Sequence, residues 1–328
     1  MEELLKVCNL SIGIHSARSE KTLCAVEGIS FDIKGGEILG IVGESGAGKT
    51  LTALSIPGLL AENVGVTGGA VIFSGQNLLA ATGKELQAIR GSEISMIFQE
   101  PFSSLNPLVK VGAQIAETLE LHGEKDRALV KSRVVELMER LGLPESEKLA
   151  GTYPHRLSGG MCQRVMIALA VIGRPRLLIA DEPTTALDFN TQGQILALLK
   201  EINGNMGTSI LFISHDLEAI KNFCGRVLVM YSGRILEEGT TDEVFSSPAH
   251  EYTRCLLRSV PDRAKRGMDL AAIPGKIPSL EEGRPLGCPF HPRCEKAIPC
   301  CAEGFPEARA VSATHVTRCV LAEANNAR

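Results

Sequence analysis

Short runs of alternating apolar and polar residues open the chain at 4–7 and 25–33, and predict strands. A third strand, 38–42, runs straight into Gly43-Glu44-Ser45-Gly46-Ala47-Gly48-Lys49-Thr50, after which 51–60 reads as a helix. Residues 71–73 and 94–98 read as two more strands. From 103 to 161 the period changes: apolar residues recur every three or four positions over 111–121 and 127–141, which predicts a helical insertion. Strand and helix then alternate again, with helices at 161–171, 192–202 and 217–223 and strands at 177–180, 210–213 and 227–231. Such alternation implies a mainly parallel sheet with helices on both faces. After about Glu237 the pattern fades into a tail punctuated by Pro248, Pro261, Pro274, Pro278, Pro285, Pro289, Pro292, Pro299 and Pro306.

Composition narrows the classes. The 328 residues can bury a sizeable core, and 33 glycines fit a fold with many tight strand-to-helix turns. Aromatic residues are 4% with no Trp, so a stacking platform for single-stranded nucleic acid is not expected. A net charge of −4 leaves no basic footprint for DNA or RNA. The opening Met1-Glu2-Glu3-Leu4-Leu5-Lys6 lacks a signal-peptide layout, and no apolar run approaches the length of a membrane span. The expectation is a cytosolic protein that reaches a membrane only through partners. There, the ten cysteines argue against a disulfide framework.

Three stretches carry chemistry. Gly43 to Thr50 fits the spacing of a phosphate-binding loop, G-x-x-x-x-G-K-[ST], between a strand and a helix. Glycines such as Gly43, Gly46 and Gly48 let the backbone close on phosphate oxygens, so that N–H groups, Ser45 included, face negative charge. Lys49 would reach the β- and γ-phosphates, and the Thr50 hydroxyl would bind Mg²⁺. The second stretch, Leu177-Leu178-Ile179-Ala180-Asp181-Glu182, is an apolar strand ending in two carboxylates. Alone it is a solvated turn; beside a phosphate loop, Asp181 suits the Mg²⁺ shell and Glu182 suits a general base. The third, Leu157-Ser158-Gly159-Gly160-Met161, is by itself a helix cap made by Ser158. Its free N–H groups also form a second anion site, which points to ATP clamped between two subunits.

In order and spacing these motifs resemble those of ABC transporter ATPases. The stretch Tyr153-Pro154-His155-Arg156-Leu157-Ser158-Gly159-Gly160-Met161-Cys162-Gln163-Arg164 and the stretch Ala180-Asp181-Glu182-Pro183-Thr184-Thr185-Ala186-Leu187-Asp188 are similar to the peptide/nickel branch of that family. The resemblance implies a Q-loop role for Gln99, sensing γ-phosphate and Mg²⁺ at the entrance to the helical insertion. It implies that Ser158, Gly159 and Gly160 complete the partner's ATP site, that Ala186-Leu187-Asp188 is the D-loop, and that His215 is the switch histidine on the γ-phosphate. Two departures stand out. Met161 replaces a common glutamine, and Ile12-Gly13-Ile14-His15 offers no aromatic ring for adenine, leaving Ile14 or His15 under the base.

The tail holds Cys288, Cys294, Cys300, Cys301 and Cys319. It resembles the C-terminal extension of peptide-transporter ATPases, which implies a four-iron–four-sulfur cluster on Cys288, Cys294, Cys301 and Cys319, with Cys300 spare. Four soft thiolates suit such a cluster; zinc on the same thiolates, or free thiols alone, are the competing readings.

The sequence therefore predicts an α/β P-loop (RecA-like) ATPase domain over 1–240, with an antiparallel β flank and a helical subdomain at about 100–165. A small cysteine-containing extension follows over 241–328. The expected ligands are ATP and Mg²⁺. The resemblance implies a second, related ATPase chain, two transmembrane permease subunits and, indirectly, an extracytoplasmic binding protein, at the cytoplasmic side of the inner membrane. The expected cargo is a di- or oligopeptide, with a nickel chelate or another small solute as the alternative. Two rival readings have less behind them: a soluble ABC ATPase acting on nucleic acid, and a non-enzymatic regulator with a vestigial ATPase core.

Overall fold

The computed structural model describes residues 2–15, 22–185, 187–259 and 273–322. In chain order the strands are β1 (Glu3–His15), β2 (Thr22–Lys34), β3 (Ile38–Val42), β4 (Val64–Phe73), β5 (Gln76–Asn77) and β6 (Ile94–Ile97). They continue with β7 (Leu177–Asp181), β8 (Ser209–Ile213), β9 (Arg226–Tyr231), β10 (Arg234–Thr240), β11 (Arg309–Ala310) and β12 (Val316–Thr317). The helices are α1 (Lys49–Ser55), α2 (Gly83–Ile89), α3 (Pro101–Ser104), α4 (Val111–Leu121), α5 (Arg127–Arg140) and α6 (Ser146–Ala150). After them come α7 (Gly159–Val171), α8 (Phe189–Met206), α9 (Leu217–Phe223), α10 (Thr241–Ser246) and α11 (Glu251–Arg258). The chain forms two compact units, one of Met1–Leu4, Ile33–Ile38 and Ala80–Ile213, the other of Leu5–Asp32, Leu39–Leu79 and Ser214–Arg328.

In the first unit β6, β7 and β8 pair in parallel, with Ile94 opposite Leu177 and Asp181 opposite Ile213. Every residue of the three strands is buried, as expected where helices cover both faces of a parallel sheet. The helical insertion packs through one face of each helix. Val130, Val134 and Met138 recur at four-residue spacing on α5, and Val111 and Ile115 do the same on α4. Two small residues let α4 approach the end of α6: a Cβ on Gly112 would stand 2.7 Å from that of Ala150. Asp126 caps α5 by accepting from the amides of Ala128 and Leu129. At its far end α8 stops at Gly207, whose φ of 67° suits glycine.

The second unit holds an antiparallel sheet in the order β2-β1-β4-β5, with Leu5 opposite Phe73 and Ile14 opposite Val64. Its other strands follow the order β11-β12-β10-β9-β3. Strands β3 and β9 are parallel, and β9, β10, β12 and β11 are antiparallel. The Pro-rich tail therefore contributes two short strands of its own.

Most predicted elements are present, with shifted ends. The predicted 51–60 helix is only α1, Lys49–Ser55, because Pro57 lies just beyond and cannot extend the helical ladder. Predicted strands at 4–7 and 71–73 are parts of the longer strands β1 and β4; in β4 only Val71 and Phe73 are buried, whereas β1 goes on past the predicted stretch to bury Leu10 and Ile12. Elements β10, α10 and α11 fall where the alternation fades.

Candidate active site

The loop predicted to bind phosphate lies wholly in the second unit, between β3 and α1. Two glycines there have geometric reasons. Gly43 sits so close to β9 that a Cβ would come within 2.1 Å of the Met230 carbonyl oxygen. Gly48 caps α1 at φ 96°, a left-handed conformation that disfavours side chains. Lys49 is buried, and its Nζ donates to the carbonyls of Gly43 at 2.8 Å and Glu44 at 3.1 Å, bridging the loop from within. Ser45, Gly46 and Thr50 are exposed on the outer face. The loop is tied to the β9–β10 turn by the Gly233 amide, which donates to the Ala47 carbonyl at 2.9 Å.

His215 belongs to the same unit and is exposed. The preceding Ser214 donates its amide to Ile41 of β3 at 3.2 Å, so the loop carrying His215 is anchored on the strand that feeds the phosphate loop. Asp216 then caps α9 by accepting from Glu218 and Ala219.

The carboxylate pair lies in the first unit. Asp181 ends β7 and is 2% exposed. Glu182 follows at φ 48°, a left-handed backbone that is uncommon for a side chain of this size. Its amide donates to Ile213 at 2.9 Å, and its Oε2 accepts from Thr185 Oγ1 at 2.9 Å and from Gln99 Nε2 at 3.2 Å. Two residues separated by 83 positions are thereby brought into contact, which puts Gln99 beside the carboxylate read as the general base. Strain at a non-glycine residue and an oriented carboxylate at the end of a buried strand are features that functional sites keep.

Ser158 caps α7 and accepts from the Met161 amide at 3.4 Å, leaving Gly159 and Gly160 as its first turn. One residue not singled out from the sequence acts here: Gln163, 2% exposed, donates to the Pro183 carbonyl and ties α7 to the turn after Glu182. Thr185 is a second, donating to Glu182 three residues before it, whereas the Gln163 contact joins residues 20 positions apart and leaves no local signal. Asp188 caps α8 and is exposed; hydrogen bonds from Thr191 hold its carboxyl below the usual range. Ala186, in the predicted D-loop, lies outside the described residues.

At the predicted adenine position Ile14 is half-buried, and His15 Nδ1 lies 3.0 Å from the Thr22 hydroxyl. Cys288, Cys294, Cys301 and Cys319 all line one small hollow, together with His250, Glu251 and Phe290, whereas Cys300 is exposed. Burial pushes the Cys288 thiol up to about 11 and raises that of Cys294. The donor set fits a thiolate-bound metal in kind. Among the described residues, however, no three His, Cys, Asp or Glu side chains are gathered as metal ligands.

A glycine loop around a buried lysine, and an oriented carboxylate at the end of a parallel strand, define a P-loop nucleotide hydrolase. Comparison with known proteins makes the class specific. The ABC transporter family matches residues 26–185, and the oligopeptide/dipeptide transporter C-terminal region matches 236–301. A probable peptide ABC transporter ATP-binding protein, y4tR of Sinorhizobium fredii, is 46% identical, covering 93% of this chain and 91% of its own. The oligopeptide transport ATP-binding protein OppD of Escherichia coli is 44% identical over 93% of this chain and 89% of its own. AppD of Bacillus subtilis, another oligopeptide transport ATP-binding protein, is 42% identical over 100% and 99%. Among solved structures, the dimeric bacterial ABC transporter cassette MJ0796 superposes with a TM-score of 0.66 at 28% identity, covering 73% of this chain and 99% of that one. The same cassette in a post-hydrolysis state with ADP and Pi gives 0.65. The chain belongs to the ABC transporter ATP-binding protein family. It is an ATPase, the ATP-hydrolysing subunit of a transporter.

Proposed function

We propose that this subunit drives import of di- or oligopeptides from the cytoplasmic face of the cell membrane. The carrying observation is that the match to oligopeptide transport ATP-binding proteins runs across the ATPase region and into the Pro-rich tail. In this reading 1–240 is the ATPase domain, with its helical subdomain at about 100–165, and 241–328 is the extension. Gly43, Ser45, Gly46, Gly48 and Lys49 hold the ATP phosphates, and Thr50, Gln99 and Asp181 serve its Mg²⁺. Glu182 takes the proton of the attacking water and His215 contacts the γ-phosphate. Phosphoryl transfer of this kind needs positioning and charge neutralisation more than covalent chemistry. The Gln99–Glu182 contact at 3.2 Å supports that assignment, because it lets the metal-sensing side chain orient the base.

Ser158, Gly159, Gly160 and Asp188 serve the ATP site of a second ATPase chain, related but different, and a pair of permease subunits carries the peptide delivered by an extracytoplasmic binding protein. No helix among the described residues is long and apolar enough to cross a membrane.

Cys288, Cys294, Cys301 and Cys319 would hold a four-iron–four-sulfur cluster in the extension. When bound, such a group supplies folding energy by cross-linking a segment poor in apolar residues. The common hollow supports this set, with Cys301 rather than Cys300 as the ligand.

Uptake tests the function. Cells lacking the chain should lose uptake of a labelled oligopeptide and regain it with the wild-type subunit but not with Lys49→Ala or Glu182→Gln. Recovery by either variant, or normal uptake without the chain, would refute the reading.

A further inference from the structure

Glu44 sits inside the phosphate loop, directly after Gly43, and segments far along the chain hold both its backbone and its side chain. Its amide donates to the Tyr252 hydroxyl at 2.9 Å, across 208 positions. Its carboxylate is gripped from both oxygens by Arg293, at 2.7 Å to Oε2 and 3.1 Å to Oε1. Arg293 has no slack of its own. Nε donates to Pro274 at 2.7 Å, Nη1 also meets the Tyr231 hydroxyl at 3.1 Å, and Nη2 reaches Ile273 at 3.4 Å. The fork of the guanidinium is thus used on every side. Its side chain is 6% exposed. Tyr231, Tyr252 and Phe290 wall the pair, with ring centroids 4.7 to 5.4 Å apart.

Two physical consequences follow for the loop. A glycine-rich segment with positive φ at Gly46 and Gly48 loses much freedom when it closes on a ligand, so fixing it beforehand lowers the cost of binding. Glu44 also places a negative charge on a loop that must receive a polyanion. Unpaired and partly desolvated, that carboxylate would repel the phosphates; a bidentate guanidinium cancels it. Lysine could supply the charge but not the fork.

We propose that Arg293 and Tyr252, from the C-terminal extension, are positioning residues for ATP hydrolysis: they hold the phosphate loop through Glu44 and neutralise its carboxylate. The inference rests on the reading that Gly43 to Thr50 receives the ATP phosphates, and it gives the extension a task in the ATPase cycle. The same segment borders the cysteine hollow. The Tyr252 amide donates to His250 Nδ1 at 3.0 Å, the other ring nitrogen lies 3.7 Å from Cys288 Sγ, and Arg293 directly precedes Cys294.

The test is a double-substitution cycle on the full chain, reading binding of a fluorescent ATP analogue together with KM, kcat and the melting midpoint. Arg293→Met should weaken ATP binding and raise KM by about tenfold while kcat stays within about twofold, the range of coupling expected for contacting charges. Glu44→Gln alone loses the bidentate grip on the loop but leaves no repelling carboxylate, so it should weaken ATP binding less than Arg293→Met does, and Glu44→Gln with Arg293→Met should recover part of the affinity lost in Arg293→Met. Arg293→Lys should recover it only in part. Unchanged ATP affinity in Arg293→Met overturns the proposal, as does a double variant no better than Arg293→Met. If Arg293→Met does not fold, Arg293→Lys in the presence and absence of Glu44→Gln decides the same question. Lys49→Ala is the control: if it too leaves ATP affinity unchanged, the phosphate-loop reading fails instead.

Discussion

Single residues in this protein are defined by the partners that the fold brings to them. Glu182 has an ordinary sequence context, but Gln99 and Thr185 fix its carboxylate and a left-handed backbone aims it. Glu182→Gln should keep the shape and the contact to Gln99 while removing the base, so hydrolysis should fall by about a hundredfold or more with ATP still bound. Single-turnover hydrolysis with retention of labelled ATP measures this, and an unchanged rate would remove Glu182 as the base. Glu243 offers a test by pH. Hydrogen bonds from Ser312 and Thr240, then Thr314, outweigh its partial burial and hold its carboxyl down to about 2. A folded-state value below the ordinary 4.5 means that the ionised form is favoured by folding. The contribution is therefore full above about pH 4.5 and fades as the pH falls toward 2. Glu243→Gln should lower the melting midpoint at pH 7 and lower it less at pH 3. Of its hydroxyl partners Thr240 is three residues away, but Ser312 and Thr314 lie 69 and 71 positions away, where no local pattern announces them.

At the scale of elements, periodicity reported what was apolar and missed what was held by caps and turns. Strands β6, β7 and β8 are buried throughout, so their apolar runs were plain in the sequence. Helix α11 buries Glu251, Tyr252 and Thr253, a set that hydropathy does not rank as a core face. Helix α10 is defined by a capping box between Thr240 and Glu243, and α2 by the same device between Thr82 and Glu85. Both boxes are in principle legible, since the spacing is local. Helix α5 depends on a single cap: Asp126→Ala should destabilise the helical insertion by about 1 kcal/mol. Urea unfolding of the full chain would show it as a lower midpoint with unchanged slope, and no change would mean that the first turn of α5 frays freely.

For the whole molecule, the ATPase chemistry is written in short contiguous motifs, while the bracing of those motifs is not. The cysteine tail shows both sides. Its spacing, through resemblance, named four thiols, and folding sorted Cys301 into the hollow and left Cys300 outside. Anaerobically purified protein should contain about four irons and four acid-labile sulfides per chain. Cys301→Ser should lose them and Cys300→Ser keep them; zinc in their place, or loss in Cys300→Ser, would overturn the assignment. By itself the sequence determined the glycine-rich loop Gly43 to Thr50 between a strand and a helix, the strand ending in Asp181 and Glu182, the Ser158 cap and the family. Each of these is built from neighbours in the chain, and backbone chemistry at fixed spacing needs no distant partner to be recognised. Tertiary structure alone decided that Gln99 meets Glu182, that Gln163 ties α7 to Pro183, and that Arg293 and Tyr252 hold Glu44. Those contacts join residues 20 to 249 positions apart. Only the packing of whole strands and helices sets such a distance, and one sequence carries no periodic trace of it.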